Sequence, residues 1–256
     1  MDISTPTDNV RFGSFAKKED RGPAGSGRIL VVDDDANLRR TVSDILRAKG
    51  YEAETAATGQ EALQSLSLSA PPAVALIDLR MEGLSGLEVL RRIRERSPET
   101  ECIVLTGHAS QTSAIEAINL GAYGYLQKPY EVDQLLLTIR RAIERREDRR
   151  ALRESEEKYR GFFETSRDCT FITSREGRWL EMNQAAVRLF EYPTKEALRE
   201  VNVRDLYADP DDRVAMTRAI EREGAVKDYP VDLLRRNGGI IHALISAVVR
   251  VDGRGR

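Results

Sequence analysis

The chain has 256 residues, with 40 basic and 42 acidic side chains, two Cys and two His. The length suits one or two domains at roughly 150 residues each. The net charge of −2 argues against nucleic-acid binding, and Cys102 and Cys169 are too few for a disulfide scaffold or a cysteine-based zinc module. No apolar run approaches the ~20 residues that span a bilayer, and the N-terminus lacks a signal-peptide core, so a cytoplasmic chain with no membrane contact is expected.

Residues 1–27 end in a Gly/Pro/Ser cluster and read as a disordered leader. From Arg28 the pattern alternates. Ile29–Val32 is a short apolar run suited to a strand buried on both faces, and Leu38, Val42, Ile45 and Leu46 mark a helix from Ala36 to Lys49, stopped by Gly50. Strands follow at 51–56, 73–77, 102–105 and 123–126, interleaved with helices at 59–68, 87–96 and 113–120. Five strands alternating with helices predict βαβ units: an α/β doubly wound parallel sheet covered on both faces. A last helix starts at Glu131, with Val132, Leu136, Ile139 and Ile143 as its packing stripe.

Residues 140–160 then hold nine Arg/Lys and six Asp/Glu. A helix from Glu131 to Lys158 would be roughly 42 Å long. Two readings of this stretch stay open. One is a solvated spacer. The other is a coiled-coil lever holding a homodimer, although Arg146 and Arg150 interrupt its apolar seam.

Past Tyr159 the texture changes. Thr170–Thr173 and Trp179–Met182 flank a turn at Arg175-Glu176-Gly177, which predicts a hairpin. Helices are expected at 184–190, 195–201 and 211–223. Two long strands, 226–235 and 240–251, are joined by Arg236-Asn237-Gly238-Gly239. This is an α+β module with an antiparallel sheet.

The ends of the buried strands carry the chemistry. In a doubly wound sheet ligands bind outside the carboxyl ends of the strands. Strand one ends in Asp33-Asp34-Asp35, strand three in Asp78 and strand four in Thr106-Gly107; strand five is followed by Lys128-Pro129. Clustered carboxylates repel one another, and a bound divalent cation resolves the repulsion. Oxygen ligands with no nearby His or Cys favour Mg²⁺ over Zn²⁺. Lys128 adds a cation for a phosphoryl group, and the Thr106 hydroxyl can donate to one of its oxygens. Together these groups make a phosphoryl-transfer site.

The motifs ILVVDDD (29–35), ALIDLR (75–80), VLTG (104–107) and GYLQKP (124–129) resemble the receiver domain of two-component response regulators over about residues 28–145. That resemblance implies a flavodoxin-like receiver in which Asp78 is the phosphoacceptor, taking its phosphoryl group from a partner histidine kinase or phosphotransfer protein. It implies Mg²⁺ on the Asp34 and Asp78 side chains and the Arg80 main-chain carbonyl, with Asp33 acting through water and Asp35 less directly. Lys128 would contact phosphoryl oxygens, and Lys128-Pro129 would be a cis peptide. Thr106 and Tyr125 match the family's switch pair.

Residues 152–252 resemble a PAS domain through SEEKYRGFFETSRD (155–168), FITSREGRWLEMNQAAVRLFEY (171–192), DLYADPDDR (205–213) and VDLLRRNGG (231–239). The resemblance implies a five-stranded antiparallel sheet and a sensory or dimerisation role. The Asn-Cys-Arg-type motif of flavin photosensors is absent, and His242 sits mid-strand in IIHALI, so no chromophore is expected. Cys169, Trp179 and Phe190 are expected in the packing, with Asn183 organising backbone. The family's last strand would follow the turn at 252–255, so the module is expected to lack it.

The domain plan is thus a leader (1–27), a receiver (28–145), a linker helix (146–158) and a PAS domain (159–256). The leading expectation is a phosphoacceptor switch without turnover activity, apart from its own phosphorylation and dephosphorylation. An alternative is the regulatory part of a hybrid histidine kinase or a cyclic-dinucleotide enzyme whose catalytic domain lies beyond Arg256. A metal-dependent phosphatase would instead carry a reactive Asp-x-Asp pair at the first strand. No helix-turn-helix, P-loop or nucleotide-binding Gly signature is present.

Overall fold

The structure is a computed structural model that describes residues 27–68, 70–107 and 111–249. The leader up to residue 26, His108, and the turn expected at 252–255 lie outside the described residues. Two compact units divide at Leu152/Arg153.

In the first unit β1 (Arg28–Val32), β2 (Glu52–Ala56), β3 (Val74–Asp78), β4 (Glu101–Thr106) and β5 (Gly124–Gln127) form one parallel sheet in the order β2-β1-β3-β4-β5. The helices are α1 (Ala36–Ala48), α2 (Gly59–Leu68), α3 (Gly86–Arg96) and α4 (Gln111–Asn119), with the first part of α5 (Val132–Thr165). Period-two alternation sends neighbouring residues to opposite faces. Ile29, Val31, Val74, Leu76, Ile103 and Leu105 pack with Leu46 of α1 and Leu135 and Ile139 of α5. Leu30, Val32, Ala75, Ile77 and Val104 pack on the other face with Leu63, Val89, Leu90 and Ile93 of α2 and α3. Apolar side chains on both faces explain why these strands read as unbroken apolar runs.

The strand order reverses at β1. It pairs with β2 on one side and β3 on the other, so the carboxyl ends of β1 and β3 sit side by side at the switch point. The Val32–Ile77 register pair puts Asp33 one step beyond β1, next to Asp78 at the end of β3.

α5 runs on to Thr165, seven residues beyond the expected Lys158. The helix passes through Gly161 despite the ~1 kcal/mol penalty of a helical glycine. Tyr159 and Phe163, four residues apart, stack with ring centroids 5.7 Å apart, and Phe163 is buried.

The second unit contains β6 (Phe171–Thr173), β7 (Trp179–Met182), α6 (Gln184–Phe190), α7 (Lys195–Arg199), a 3-10 turn (Val203–Leu206), α8 (Pro210–Glu223), β8 (Ala225–Leu234) and β9 (Ile240–Val248). The strands pair as two antiparallel hairpins, β6-β7 and β8-β9, rather than as the expected five-stranded sheet. Among the described residues no strand pairs with both hairpins, so the ladders stay separate. In the β8-β9 turn only Gly238 takes a positive φ, of 84°, while the Asn237 side chain accepts from the Gly239 amide. Trp179 lies edge-on to Phe171 and Phe190, at 5.2 and 6.1 Å, and its indole donates to the Val201 carbonyl. Cys169 packs at the margin of this core, where burial pushes its thiol up to about 11. His242 points outward from β9 and meets Asp232 of β8 at 2.6 Å.

Asn183 is fully buried and works entirely on backbone. Its Oδ1 accepts from the Ala186 and Thr170 amides, and its Nδ2 donates to the Asp168 carbonyl. It therefore caps α6 while pinning the start of β6. Asn183→Ala is expected to destabilise the second unit by on the order of 2–4 kcal/mol, because three bonds are lost and buried amides are left unpaired. Urea denaturation followed by fluorescence of Trp179, the sole tryptophan, checks this.

Candidate functional site

The pocket is assembled from three strand ends and one loop. Oxygens of Asp33, Asp34 and Asp78 lie within 4.8 Å of one another. Lys128 follows β5, and its Nζ sits 2.7 Å from Asp33 Oδ2 and 3.2 Å from Asp78 Oδ2. The Lys128-Pro129 peptide is cis, as the receiver resemblance implied.

Each carboxylate is held differently. Asp33 is 1% exposed and accepts from the Asp35 amide at 2.9 Å. Asp34 is exposed, and its Oδ2 accepts from the Glu82 amide at 3.1 Å, which ties the loop after β3 to the end of β1. Asp35 is the N-cap of α1, accepting from the Asn37 and Leu38 amides. Asp78 has one oxygen on Lys128, while its Oδ1 is buried with no hydrogen-bond partner among the described residues. A buried carboxylate oxygen without a partner is costly, and three oxygen donors around it suit a hard divalent cation.

The electrostatics follow from this crowding. Burial raises the Asp78 carboxyl above its ordinary range, Lys128 opposes the rise, and Asp33 adds to it. Burial alone would lower Lys128, but hydrogen bonds and charge from Asp33 and Asp78 outweigh it and raise the ammonium. Folded Asp78 thus takes up its proton at higher pH than unfolded Asp78. The folded state binds more protons in that window, so this contribution to stability falls as pH rises through it. In chelator at neutral pH, Asp78→Asn is expected to melt a few degrees higher than wild type by calorimetry.

Thr106 is 1% exposed at the end of β4, in register with Gln127, and its carbonyl accepts from the Lys128 amide at 2.7 Å. Tyr125 lies two residues earlier on β5 and is 49% exposed, with its ring outside the acidic pocket. Arg80 stands two residues beyond Asp78 in the β3–α3 loop with its side chain exposed. The fold therefore gathers Asp33, Asp34, Asp78 and Lys128, places Thr106 beside them, and leaves Tyr125 on the surface.

Three supports were not evident from sequence. Arg39 of α1 donates to the Asp33 carbonyl at 2.6 Å. The Glu82 amide clasps Asp34 across 48 residues. A Cβ on Gly86 would lie 2.1 Å from the Asp78 carbonyl oxygen, so only glycine lets α3 start against the end of β3. A glycine directly after the Ser85 N-cap was the available signal for the last of these.

This fold and pocket define a receiver domain, and comparison with known families agrees. The family model of the response regulator receiver domain matches residues 29–140, and that of the PAS fold matches residues 157–256. The chain thus carries a response regulator receiver domain, which a PAS domain follows. The regulatory protein AtoC of Escherichia coli is 37% identical over 117 residues, 46% of this chain and 25% of that protein. The nitrogen assimilation regulatory protein NtrX of Azorhizobium caulinodans is 36% identical over 128 residues, 49% of this chain and 28% of that protein. A solved structure described as adenylate cyclase from Rhodopirellula baltica is 34% identical, covers 52% of this chain and 98% of that one, and has a TM-score of 0.50. The chain matches only about a quarter of the length of these curated relatives. Among the described residues no helix is long and apolar enough to cross a membrane.

Proposed function

We propose that this protein is a cytoplasmic phosphorelay switch. Asp78 accepts a phosphoryl group from a histidine kinase or phosphotransfer protein, and the resulting change passes along α5 to the PAS domain. The observation that carries this reading is the buried, unpartnered Oδ1 of Asp78 within 4.8 Å of two other carboxylates and beside Lys128.

The roles divide by what each oxygen already contacts. Asp33 is occupied by Lys128 and the Asp35 amide, so it orients the pocket. Asp34 and Asp78, with the Arg80 main-chain carbonyl, would hold Mg²⁺ directly, and Asp33 would act through water. When bound, Mg²⁺ supplies positive charge that balances the carboxylates and the incoming phosphoryl oxygens. The free carboxylate oxygen of Asp78 attacks phosphorus in line, the bond to the donor nitrogen breaks, and the nitrogen leaves with a proton. Lys128 then turns from Asp78 to a phosphoryl oxygen. Thr106 donates its hydroxyl to another oxygen, and Tyr125, outward here, moves inward as the partner of that shift.

The chain itself performs no turnover chemistry beyond gaining and losing this group. The receiver is assigned to 28–145, the connecting helix to 146–158 and the PAS module to 159–256. In the PAS module packing is filled by side chains such as Trp179 and Phe190, which supports a relay or homodimerisation role without a chromophore.

Incubation with acetyl phosphate tests the proposal. One phosphoryl group per chain, appearing only with Mg²⁺, is expected by intact mass. No uptake with Mg²⁺ present would count against it.

A further inference from the structure

Glu101 opens β4 and is 2% exposed, although the strand that follows it, Cys102–Leu105, is wholly apolar. A buried ionisable residue at a strand position breaks the local pattern, and such departures concentrate at functional or strained sites. Its Oε1 lies 3.1 Å from Arg149 Nη1 and 3.9 Å from Arg145 Nε, both on α5. Between these two, Arg146 donates from Nε to the Glu99 carbonyl at 3.1 Å. The Arg145 guanidinium also lies 5.5 Å over the Tyr123 ring. Tyr123 precedes β5, and its amide donates to the Cys102 carbonyl. Three arginines from two successive turns of α5 therefore grip the amino-terminal rim of β4 and β5.

This rim is the edge of the sheet away from the acidic pocket. Thr106 stands at the other end of the same strand, five residues or roughly 17 Å from Glu101. β4 is paired with β3 from Glu101 to Leu105 and with β5 from Ile103 to Thr106, so one continuous ladder links its two ends. The buried carboxylate has no water to replace a lost partner, whereas Arg145 and Arg149 are each about half exposed. The carboxylate thus requires the arginines, while the arginines can exchange it for solvent.

We propose that Glu101 is a positioning residue that couples β4 to α5: the Glu101–Arg145–Arg149 cluster passes the state of the phosphorylation pocket to the helix that continues to Thr165. The proposal rests on the receiver reading of Asp78.

The test uses the full chain with Mg²⁺, beryllium and fluoride, which together form a phosphoryl mimic. Fluorine NMR reports whether fluoroberyllate binds the pocket. Deuterium exchange of peptides covering 150–165 reports the helix. In wild type, fluoroberyllate binds and changes exchange in 150–165 by at least about fivefold, the lower end of typical coupling. In Glu101→Gln it still binds, but the change falls below about twofold. Arg149→Lys, which keeps the charge, retains the wild-type response. Where Glu101→Gln alone unfolds, Glu101→Gln with Arg149→Gln leaves that pair without charge and is expected to lose the response. A wild-type response in Glu101→Gln or in the double variant overturns the coupling. So does loss of the response in Arg149→Lys, or bound fluoroberyllate with no change in the wild-type helix. Absence of fluoroberyllate binding to wild type would overturn the receiver reading itself, and the coupling with it.

Discussion

Asp78→Asn is expected to lower phosphoryl uptake from acetyl phosphate by about 10³-fold or more, with the fold intact. An amide oxygen is a poor nucleophile, and the loss of a nucleophile is among the largest single effects in group transfer. Neighbouring carboxylates do not compensate, because Asp33 has both oxygens engaged and Asp34 is exposed, with one oxygen held by an amide. Asp33 faces Lys128 and the Asp35 amide, and Asp34 faces the Glu82 amide. Asp78 alone of the three has a buried oxygen without a partner. Phosphate-binding gel electrophoresis with and without Mg²⁺ measures the effect. The same variant melting higher than wild type in chelator separates lost chemistry from lost folding.

Lys128→Gln is expected to slow phosphorylation by about 10²-fold, the cost of removing one preorganised group that faces developing charge. The raised ammonium makes the sign of its stability contribution clear. A folded-state value above the unfolded one gives stability that is fully present below the unfolded value and lost only as alkaline pH passes the folded one. At neutral pH the contribution is complete, so the substitution also leaves Asp33 and Asp78 facing each other uncompensated. Lys128→Gln should therefore melt below wild type in chelator, opposite to Asp78→Asn, and Mg²⁺ should restore part of the difference. Stopped-flow phosphorylation and calorimetry read the two effects separately.

Much of the first unit was legible because its physics is local or periodic. Short apolar runs such as Ile29–Val32 and Ala75–Ile77 have to be buried strands, and strand ends rich in Asp have to meet where the strand order reverses. What the sequence did not reveal depends on long-range approach. The Glu82 amide reaches Asp34 across 48 residues, and the Arg39 guanidinium folds back on the Asp33 carbonyl, with no periodic trace of either. The strand expected at 102–105 left Glu101 outside it, and its partners are arginines 44 and 48 residues further on. The run of α5 past Gly161 is accompanied by a Tyr159–Phe163 stack that composition alone does not signal. In the second unit the hairpins were legible from turn chemistry, whereas the separation of their ladders among the described residues was not, since sheet assembly is set by non-local pairing.

The most direct measurement is the chemical location of the phosphoryl group. After treatment with acetyl phosphate and Mg²⁺, reductive trapping and peptide mass mapping should find the modification on Asp78 and nowhere else, with none formed in chelator. Modification of Asp33, Asp34 or Asp35 in place of Asp78, or uptake that is indifferent to Mg²⁺, would contradict the account.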